Sequence, residues 1–398
     1  MTESDRRVLM LLEDCPYCYD GRVPNEAQSL VRAGYHVSVI SVMPRHGKML
    51  DLIDGVHLYQ YPAPPNGQSL LNYLWEYSYS LTISFVLSIV VLVREGFDVV
   101  HAHNPPDMLV LIAAFYKLLG KRFVYDHHDL SPEMYEARGG ESRFLRRILL
   151  WFEQLSCHLA DRIIATNGSY RAIEMGRGQV PAEKITIVRN GPDLRRMRRV
   201  NPDPDLRRRA ATILGYVGVM GPQDGLDGLL RALHHLVYDL NRRDVLCVLI
   251  GGGDMLPELQ VLAQELRLRD HVWFTGWLSG EELVPLLSTA DICVVPDRSN
   301  PYSDQSTLVK TMEYMALGKP IVAFDLTENR ITAQEAAVYA RANDELDFAK
   351  QIALLMDTPE QREKMGRLGQ ERVETELAWP HQEKRLLDAY EKLFQHRP

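Results

Sequence analysis

The sequence predicts an α/β protein of two open, mostly parallel sheets, each covered by helices, facing one another across a cleft. Three observations lead there. Short apolar runs alternate with stretches of helical spacing along nearly the whole chain, which is the rhythm of βαβ units. The length of 398 residues is too great for one ordinary core and suggests two domains. The rhythm breaks once, at residues 194–210 (LRRMRRVNPDPDLRRRA), and then resumes.

In the first half, residues 7–12 read as a strand, 25–33 (NEAQSLVRA) as a helix ended by Gly34, and 37–42 as the next strand. Strand 98–102, helix 107–119, the stop at Gly120 and strand 123–125 repeat the order, followed by strand 163–166, helix 169–175 and strand 185–188. The run LTISFVLSIVVLV, 13 residues at 81–93, is too short to span a bilayer. It reads as a buried core helix, with contact to a membrane surface as the alternative. Segment 194–210 reads as a solvated linker with charged helical flanks; an acidic-lipid or phosphate patch is the alternative. In the second half, strands are expected at 213–219, 245–250, 272–275, 292–295 and 320–324. Helices are expected at 228–240, 257–266, 283–288 and 308–317, with an amphipathic tail helix at 380–394. The domains are therefore drawn as 1–198, joined by a returning helix 377–398, and 199–376. In open α/β sheets, ligands sit beyond the carboxyl ends of the strands.

Composition narrows the function. The 46% of apolar and 25% of charged residues are those of an ordinary globular chain. With 45 cations against 53 acids the net charge is −8, which argues against a nucleic-acid partner. Five scattered cysteines make no disulfide framework and point to a reducing, cytoplasmic setting. The start, MTESDRRVLMLLEDC, has no secretory pattern, because its short apolar run soon meets Glu13 and Asp14.

The sharpest constellation is NPYSDQSTLVKTMEYMALGKPIVAFD, residues 300–325. Ser306 and Thr307 are good N-cap residues for the helix that follows. Free N–H groups and the positive dipole end there suit a phosphate. Lys310 and Glu313, three apart, share a side of that helix. A cation near a phosphate and a carboxylate one turn deeper fit a diphosphate and a ribose; the alternative is a capped helix with a surface ion pair. Gly21, in DGRV, allows close approach of the backbone to a ligand. His101 and His103 share a face of one strand and, with His127 and His128, invite a metal. No cysteine or carboxylate spacing completes a tetrahedral site, so they read as hydrogen-bonding or sugar-contacting groups. Cys15-Pro16-Tyr17-Cys18 raises thiol redox chemistry as an alternative, but Asp20, Gly21, Arg22 and Pro24 delay the helix start. It reads as a site loop that carries two thiols.

Residues 313–320 (EYMALGKP) resemble the donor-binding motif of family 4 retaining glycosyltransferases, which have the GT-B fold. The family pattern is a Glu, seven residues, and a second Glu. Glu313 matches the second; the first falls on Gln305, beside Asp304. Other resemblances run nearly the length of the chain. DGRV with Glu26 and Ala27 resembles the first glycine loop, and FDVVHAH one of the family's strands. YDHHD resembles the strand end that carries the sugar-contacting His, here His128 with Asp129. RNGPD resembles the turn near the hinge, and Trp379-Pro380 the element crossing back to the first domain.

The loop YVGVMGPQDG, residues 216–225, resembles the family's G-R-L-x-x-x-K-G loop, with Val219 at the Arg and Asp224 at the Lys. Both usual diphosphate-binding cations are thus absent. Lys310, Arg22, the amides of Ser306 and Thr307, and the Gly221 N–H remain as candidates.

The resemblance implies that Glu313 binds the ribose hydroxyls and that Asp304 or Gln305 serves the donor sugar. Gly252, Trp277 and Leu278 would line the base pocket. It implies a UDP- or GDP-sugar donor, no obligatory cofactor, and a glycan, glycolipid or lipid-linked acceptor of cell-surface polysaccharide synthesis. Mg2+ is not expected, though Asp224 or Asp304 offers it a carboxylate in place of the missing cations. Residues 81–93 with Arg143, Arg146 and Arg147 suggest peripheral contact with the inner face of the plasma membrane. A non-catalytic sugar-nucleotide-binding protein and a sugar-nucleotide 2-epimerase are the alternatives.

Overall fold

A computed structural model describes residues 6–63 and 70–395. The first five residues of the N-terminal stretch and the last three of the tail lie outside the described residues. The chain divides into two compact units. The first is Met1–Glu136, Gly140–Asn190 and Gln382–Pro398; the second is Gly191–His381 with Ala137–Gly139.

The first unit is an eight-stranded sheet in the order β3-β4-β2-β1-β5-β6-β7-β8. Its strands are β1 (Arg7–Pro16), β2 (His36–Val42), β3 (Leu50–Ile53), β4 (Val56–Tyr61), β5 (Val99–His103), β6 (Arg122–His127), β7 (Arg162–Ala165) and β8 (Ile185–Ile187). All pairings are parallel except β3–β4. Helices α1 (Val23–Arg32), α2 (Leu70–Arg94), α3 (Val110–Leu118), α4 (Ser131–Ala137), α5 (Arg143–Leu159) and α6 (Gly168–Gly176) connect the strands. The strand order reverses at β1, so the switch point lies beyond the carboxyl ends of β1 and β5.

The expectation for residues 81–93 is corrected. They belong to a 25-residue helix, α2, long and apolar enough by length and composition to cross a membrane. It is no core helix: only 22% of an 18-residue window within Trp75–Arg94 is buried. Ser80, Ser84 and Ser88, spaced four apart, and Val91 are the buried side.

The second unit is a six-stranded parallel sheet in the order β11-β10-β9-β12-β13-β14. The strands are β9 (Thr212–Val217), β10 (Val245–Ile250), β11 (Val272–Gly276), β12 (Ile292–Val295), β13 (Ile321–Phe324) and β14 (Ala337–Ala340). The helices are α7 (Pro204–Arg207), α8 (Leu226–His234), α9 (Leu256–Glu265), α10 (Gly280–Thr289), α11 (Val309–Ala316), α12 (Thr327–Ala333), α13 (Glu345–Asp357) and α14 (Pro359–Arg372). β10, VLCVLI, shows why a parallel strand reads as an unbroken apolar run. Val245, Cys247 and Leu249 enter one core, and Leu246, Val248 and Ile250 the other. Here the order reverses at β9, between the loops after β9 and β12.

The units divide at Asn190/Gly191 and His381/Gln382, against 198/199 and 376/377 from the sequence. Hydrogen bonds set the first edge: the Arg189 amide donates to Gln382 Oε1 at 3.1 Å and Arg22 donates to Asn190. Gly191 belongs to the second unit, where a Cβ on it would come within 2.1 Å of the Leu377 carbonyl. The last helix, α15 (Trp379–Gln395), begins in the second unit and continues in the first from Gln382.

Candidate functional site

In the second unit the predicted residues gather on loops beyond the carboxyl ends of the strands. Two of these loops touch backbone to backbone. Gly251 has φ +128°, and a Cβ there would stand 2.0 Å from the Gly218 carbonyl oxygen. On Gly225, with φ +68°, a Cβ would stand 2.2 Å from the Pro296 carbonyl oxygen. The Met220 amide donates to the Gly252 carbonyl at 2.9 Å, locking the loops after β9 and β10 together.

Lys310, on the first turn of α11, reaches into this junction. Its Nζ lies 3.0 Å from Asp297 Oδ2, 3.3 Å from the Tyr216 hydroxyl and 3.6 Å from Asp224 Oδ1. Burial alone would depress its pKa; Asp297 above all, with Tyr216 and Asp224, raises it instead. Burial pushes Asp297 up to about 6, against the pull of Lys310. The cation expected for a diphosphate is therefore already shared by two carboxylates. Asp224 also accepts the Gly221 amide at 3.0 Å, so that N–H is occupied, contrary to expectation.

Ser306 and Thr307 do not cap the helix. The Ser306 hydroxyl donates to the Tyr302 carbonyl at 2.8 Å and Thr307 Oγ1 to Glu328 at 3.1 Å. Helix α11 starts instead at Val309, after Leu308, with no side-chain cap. Its first-turn amides at Val309 and Lys310 keep their capacity for an anion.

One turn deeper, Glu313 is half-buried, and among the described residues no hydrogen bond reaches its carboxylate. Burial pushes it up to about 7, while Arg196 and Lys310 pull it down. Asp304 accepts from Ser299 Oγ at 3.1 Å, and Gln305 Nε2 donates to the Pro301 carbonyl at 3.0 Å. Trp277 is 69% exposed, and a Cβ on Gly252 would lie 2.8 Å from its indole nitrogen. Leu278 packs instead against the core cluster behind the sheet.

In the first unit, Arg22 is corrected from ligand cation to structural hub. Its guanidinium bonds Asp126 twice, at 2.7 and 2.9 Å, and the Val188 carbonyl at 2.9 Å. It also donates to Asn190 and pairs with Glu26 at 3.0 Å, with only 3% of its side chain exposed. Four of its N–H groups are hydrogen-bonded and the fifth is buried against the Glu26 carboxylate, so the guanidinium is not open to a diphosphate.

Behind Arg22, the rings of His101 and His103 lie 4.3 Å apart. His103 Nδ1 is 2.9 Å from Asp126, and His101 Nδ1 is 2.9 Å from the Tyr390 hydroxyl. The structure does bring carboxylates here: Glu26, His101, His103 and Asp126 place one ligand atom each within 4.8 Å of one another. The buried guanidinium of Arg22 already supplies the positive charge there. His127 turns elsewhere, to Glu174 at 3.1 Å.

His128 and Asp129 sit on the loop after β6, both backbone amides held by Asn104 Oδ1 at 2.8 and 3.2 Å. Burial opposes protonation of His128, but Asp126, 3.8 Å from its Nδ1, and Asp129 outweigh burial and hold the imidazole up to about 9. At Gly21 a Cβ would meet nothing within 4 Å, so the fold itself makes no demand for glycine. Cys15 gives the redox alternative no support: burial first, then Asp14 and Asp20, push its thiol up, the reverse of what disulfide exchange needs.

The sequence reading gave no site role to Asp126, Glu26, Asn104, Asp297 or Arg196. Asp126 carried a signal, as an acid that directly follows the apolar run FVY in the strand RFVYDH. Asp297 and Arg196 had none, since only the fold brings them to Lys310 and Glu313.

Residues 23–196 match the profile described as Glycosyltransferase Family 4, and residues 201–372 that described as Glycosyl transferases group 1. An uncharacterised glycosyltransferase of Methanocaldococcus jannaschii is 27% identical, over 74% of this chain and 73% of its own. Sucrose-phosphate synthase from Thermosynechococcus elongatus superposes with a TM-score of 0.80 at 18% identity, covering 98% of this chain and 99% of that one. HepE of Anabaena in complex with UDP-glucose gives 0.73 at 15% identity, over 97% and 99% of the two chains. Such low identities establish the shared GT-B architecture and nothing finer.

Proposed function

This chain belongs to the group 1 glycosyltransferases of family 4, and from that premise we propose that it transfers a sugar from a nucleoside-diphosphate sugar to an acceptor hydroxyl with retention of configuration. The second unit is the donor side. The uncapped start of α11 with Lys310 takes the diphosphate, Glu313 accepts the ribose hydroxyls, and Trp277 beside Gly252 offers a flat face to the base. Asp304 and Gln305 serve the sugar. His128 and Asp129 of the first unit serve the acceptor, a glycan, glycolipid or lipid-linked hydroxyl of surface-polysaccharide synthesis on the cytoplasmic side.

In the reaction the bond from the anomeric carbon to the diphosphate breaks, and the acceptor oxygen bonds to the same face. The acceptor proton passes to the departing phosphate oxygen. No protein nucleophile is required; the fixed amides and Lys310 stabilise the charge growing on the leaving group. The observation that carries this reading is the Glu313 carboxylate, half-buried and without a hydrogen-bond partner among the described residues, one turn below an uncapped helix start. The test is release of nucleoside diphosphate from UDP-glucose on addition of an acceptor panel, with Glu313→Ala inactive.

One observation favours a second reading, a non-catalytic sugar-nucleotide-binding protein. Val219 and Asp224 replace the family's two cations, and Lys310 is shared by Asp224 and Asp297. Tight donor binding without turnover across the panel would select that reading.

A further inference from the structure

Helices α2 and α3 lie side by side on the first unit. Phe85 meets Phe115 edge to face at 5.1 Å, and the hydroxyls of Ser88 and Tyr116 share a hydrogen bond of 2.8 Å. Ser80, Ser84, Ser88 and Val91 face the protein, while Trp75, Val86, Ile89 and Val93 face solvent beside Ser78 and Thr82, Val93 at 80% exposure. Helix α3 continues this apolar surface with Phe115 and with Leu118, which is 88% exposed. Water is a poor solvent for such a face, and exposed apolar surface of this extent marks an interaction site.

Both helices end at the N-terminal edge of the sheet, and there the chemistry changes. A cavity of about 1020 Å3 opens between the starts of β5 to β8 and the end of α15. Seven of its lining residues are Lys or Arg and three are Asp or Glu. Lys117 is neutralised by Asp161 at 2.8 Å. Lys121, Arg171 and Lys184 form no ion pair among the described residues, and Arg171 Nε is buried without a hydrogen-bond partner. Leu119, next in sequence to exposed Leu118, lines the same cavity.

We propose that this end of the first unit docks on an anionic lipid surface, with the α2–α3 face against the acyl chains and lipid phosphates in the basic cavity. An apolar face bordered by uncompensated cations is the pattern of interfacial membrane binding. A second copy of this chain would cover the apolar face but bring like charge to the cavity. The surface is separate from the predicted ligand loops: β6 runs six residues from Arg122, in the cavity, towards His128, about 20 Å at the rise of a strand. The proposal therefore stands or falls independently of the donor assignment.

The experiment is flotation of the full chain with phosphatidylglycerol vesicles and with phosphatidylcholine vesicles, at low and high salt. We expect binding to the anionic vesicles, weakened by salt. The double variant Lys121→Ala/Lys184→Ala should bind roughly fivefold more weakly for each cation removed. Leu118→Ser should bind more weakly with its melting temperature unchanged. Absence of flotation, or equal flotation of the folded double variant, would overturn the proposal. So would stabilisation by inorganic phosphate without flotation, which would assign the cavity to a soluble anion. Concentration-dependent dimerisation abolished by Leu118→Ser, without vesicle binding, would assign the face to a second copy.

Discussion

At the scale of single residues, the account rests on where charge is held. Glu313 is raised by burial from 4.5 to about 7, so the folded state keeps its proton over a range in which the unfolded chain has released it. The folded form binds more protons between those values, so the Glu313 contribution to stability falls as pH rises from 4.5 to 7. Glu313→Gln should remove that decline and be the more stable protein at pH 8, yet lose nucleotide affinity; denaturant titrations at several pH values check the first part. In wild type, nucleotide affinity should rise with pH through about 7, as the carboxylate becomes the better acceptor for two ribose hydroxyls.

His128 runs the other way. Its folded pKa of about 9 lies above the ordinary 6.5, so its contribution is complete below 6.5 and is lost as pH rises through 9. An NMR titration of its ring should show a midpoint near 9, and His128→Gln should flatten the alkaline loss of stability. Arg22→Ala leaves Asp126 and Glu26 buried without their cation; it should cost about 3–5 kcal/mol in urea unfolding. A ligand cation at an open site would cost almost nothing to remove.

At the scale of elements, legibility followed covalent constraint. Most strands of both sheets were readable because parallel strands buried on both faces are continuous apolar runs. The β3–β4 hairpin was missed although its turn is written plainly: Asp54 and Gly55, with φ 51° and 82°, form the two-residue turn favoured in hairpins. The start of α11 was displaced because Ser306 and Thr307 prefer partners on Tyr302 and Glu328, which sequence spacing does not reveal. Helix α2 was read as core because apolar length alone does not say which face is buried. The glycine loops supply a graded test. Gly251→Ala sets a Cβ against backbone in a conformation that disfavours side chains, and should destabilise by about 1–3 kcal/mol or more. Gly252→Ala displaces only an exposed indole, so it should leave the melting temperature nearly unchanged while weakening nucleotide binding. Calorimetry on the two variants, with and without UDP, separates the roles.

At the scale of the molecule, the two-unit architecture was legible because the βα rhythm breaks once, at the arginine-rich segment 194–210. The edge of the first unit fell eight residues earlier than drawn, at Asn190, because Arg22 and Gln382 bind the chain there. The candidate donor loop was legible as a motif from Glu313 to Pro320; the charges around it were not, since Asp297 and Arg196 reach Lys310 and Glu313 only through the fold. The central claim is that this second unit holds a nucleotide sugar on Glu313 and the start of α11. The most direct measurement is calorimetric titration of UDP, GDP and UDP-glucose into wild type and Glu313→Ala, each with magnesium and with EDTA. The account predicts binding of one base to wild type and its loss in a folded Glu313→Ala variant. Folded wild type that binds none of them, or a variant that binds as well as wild type, would contradict it.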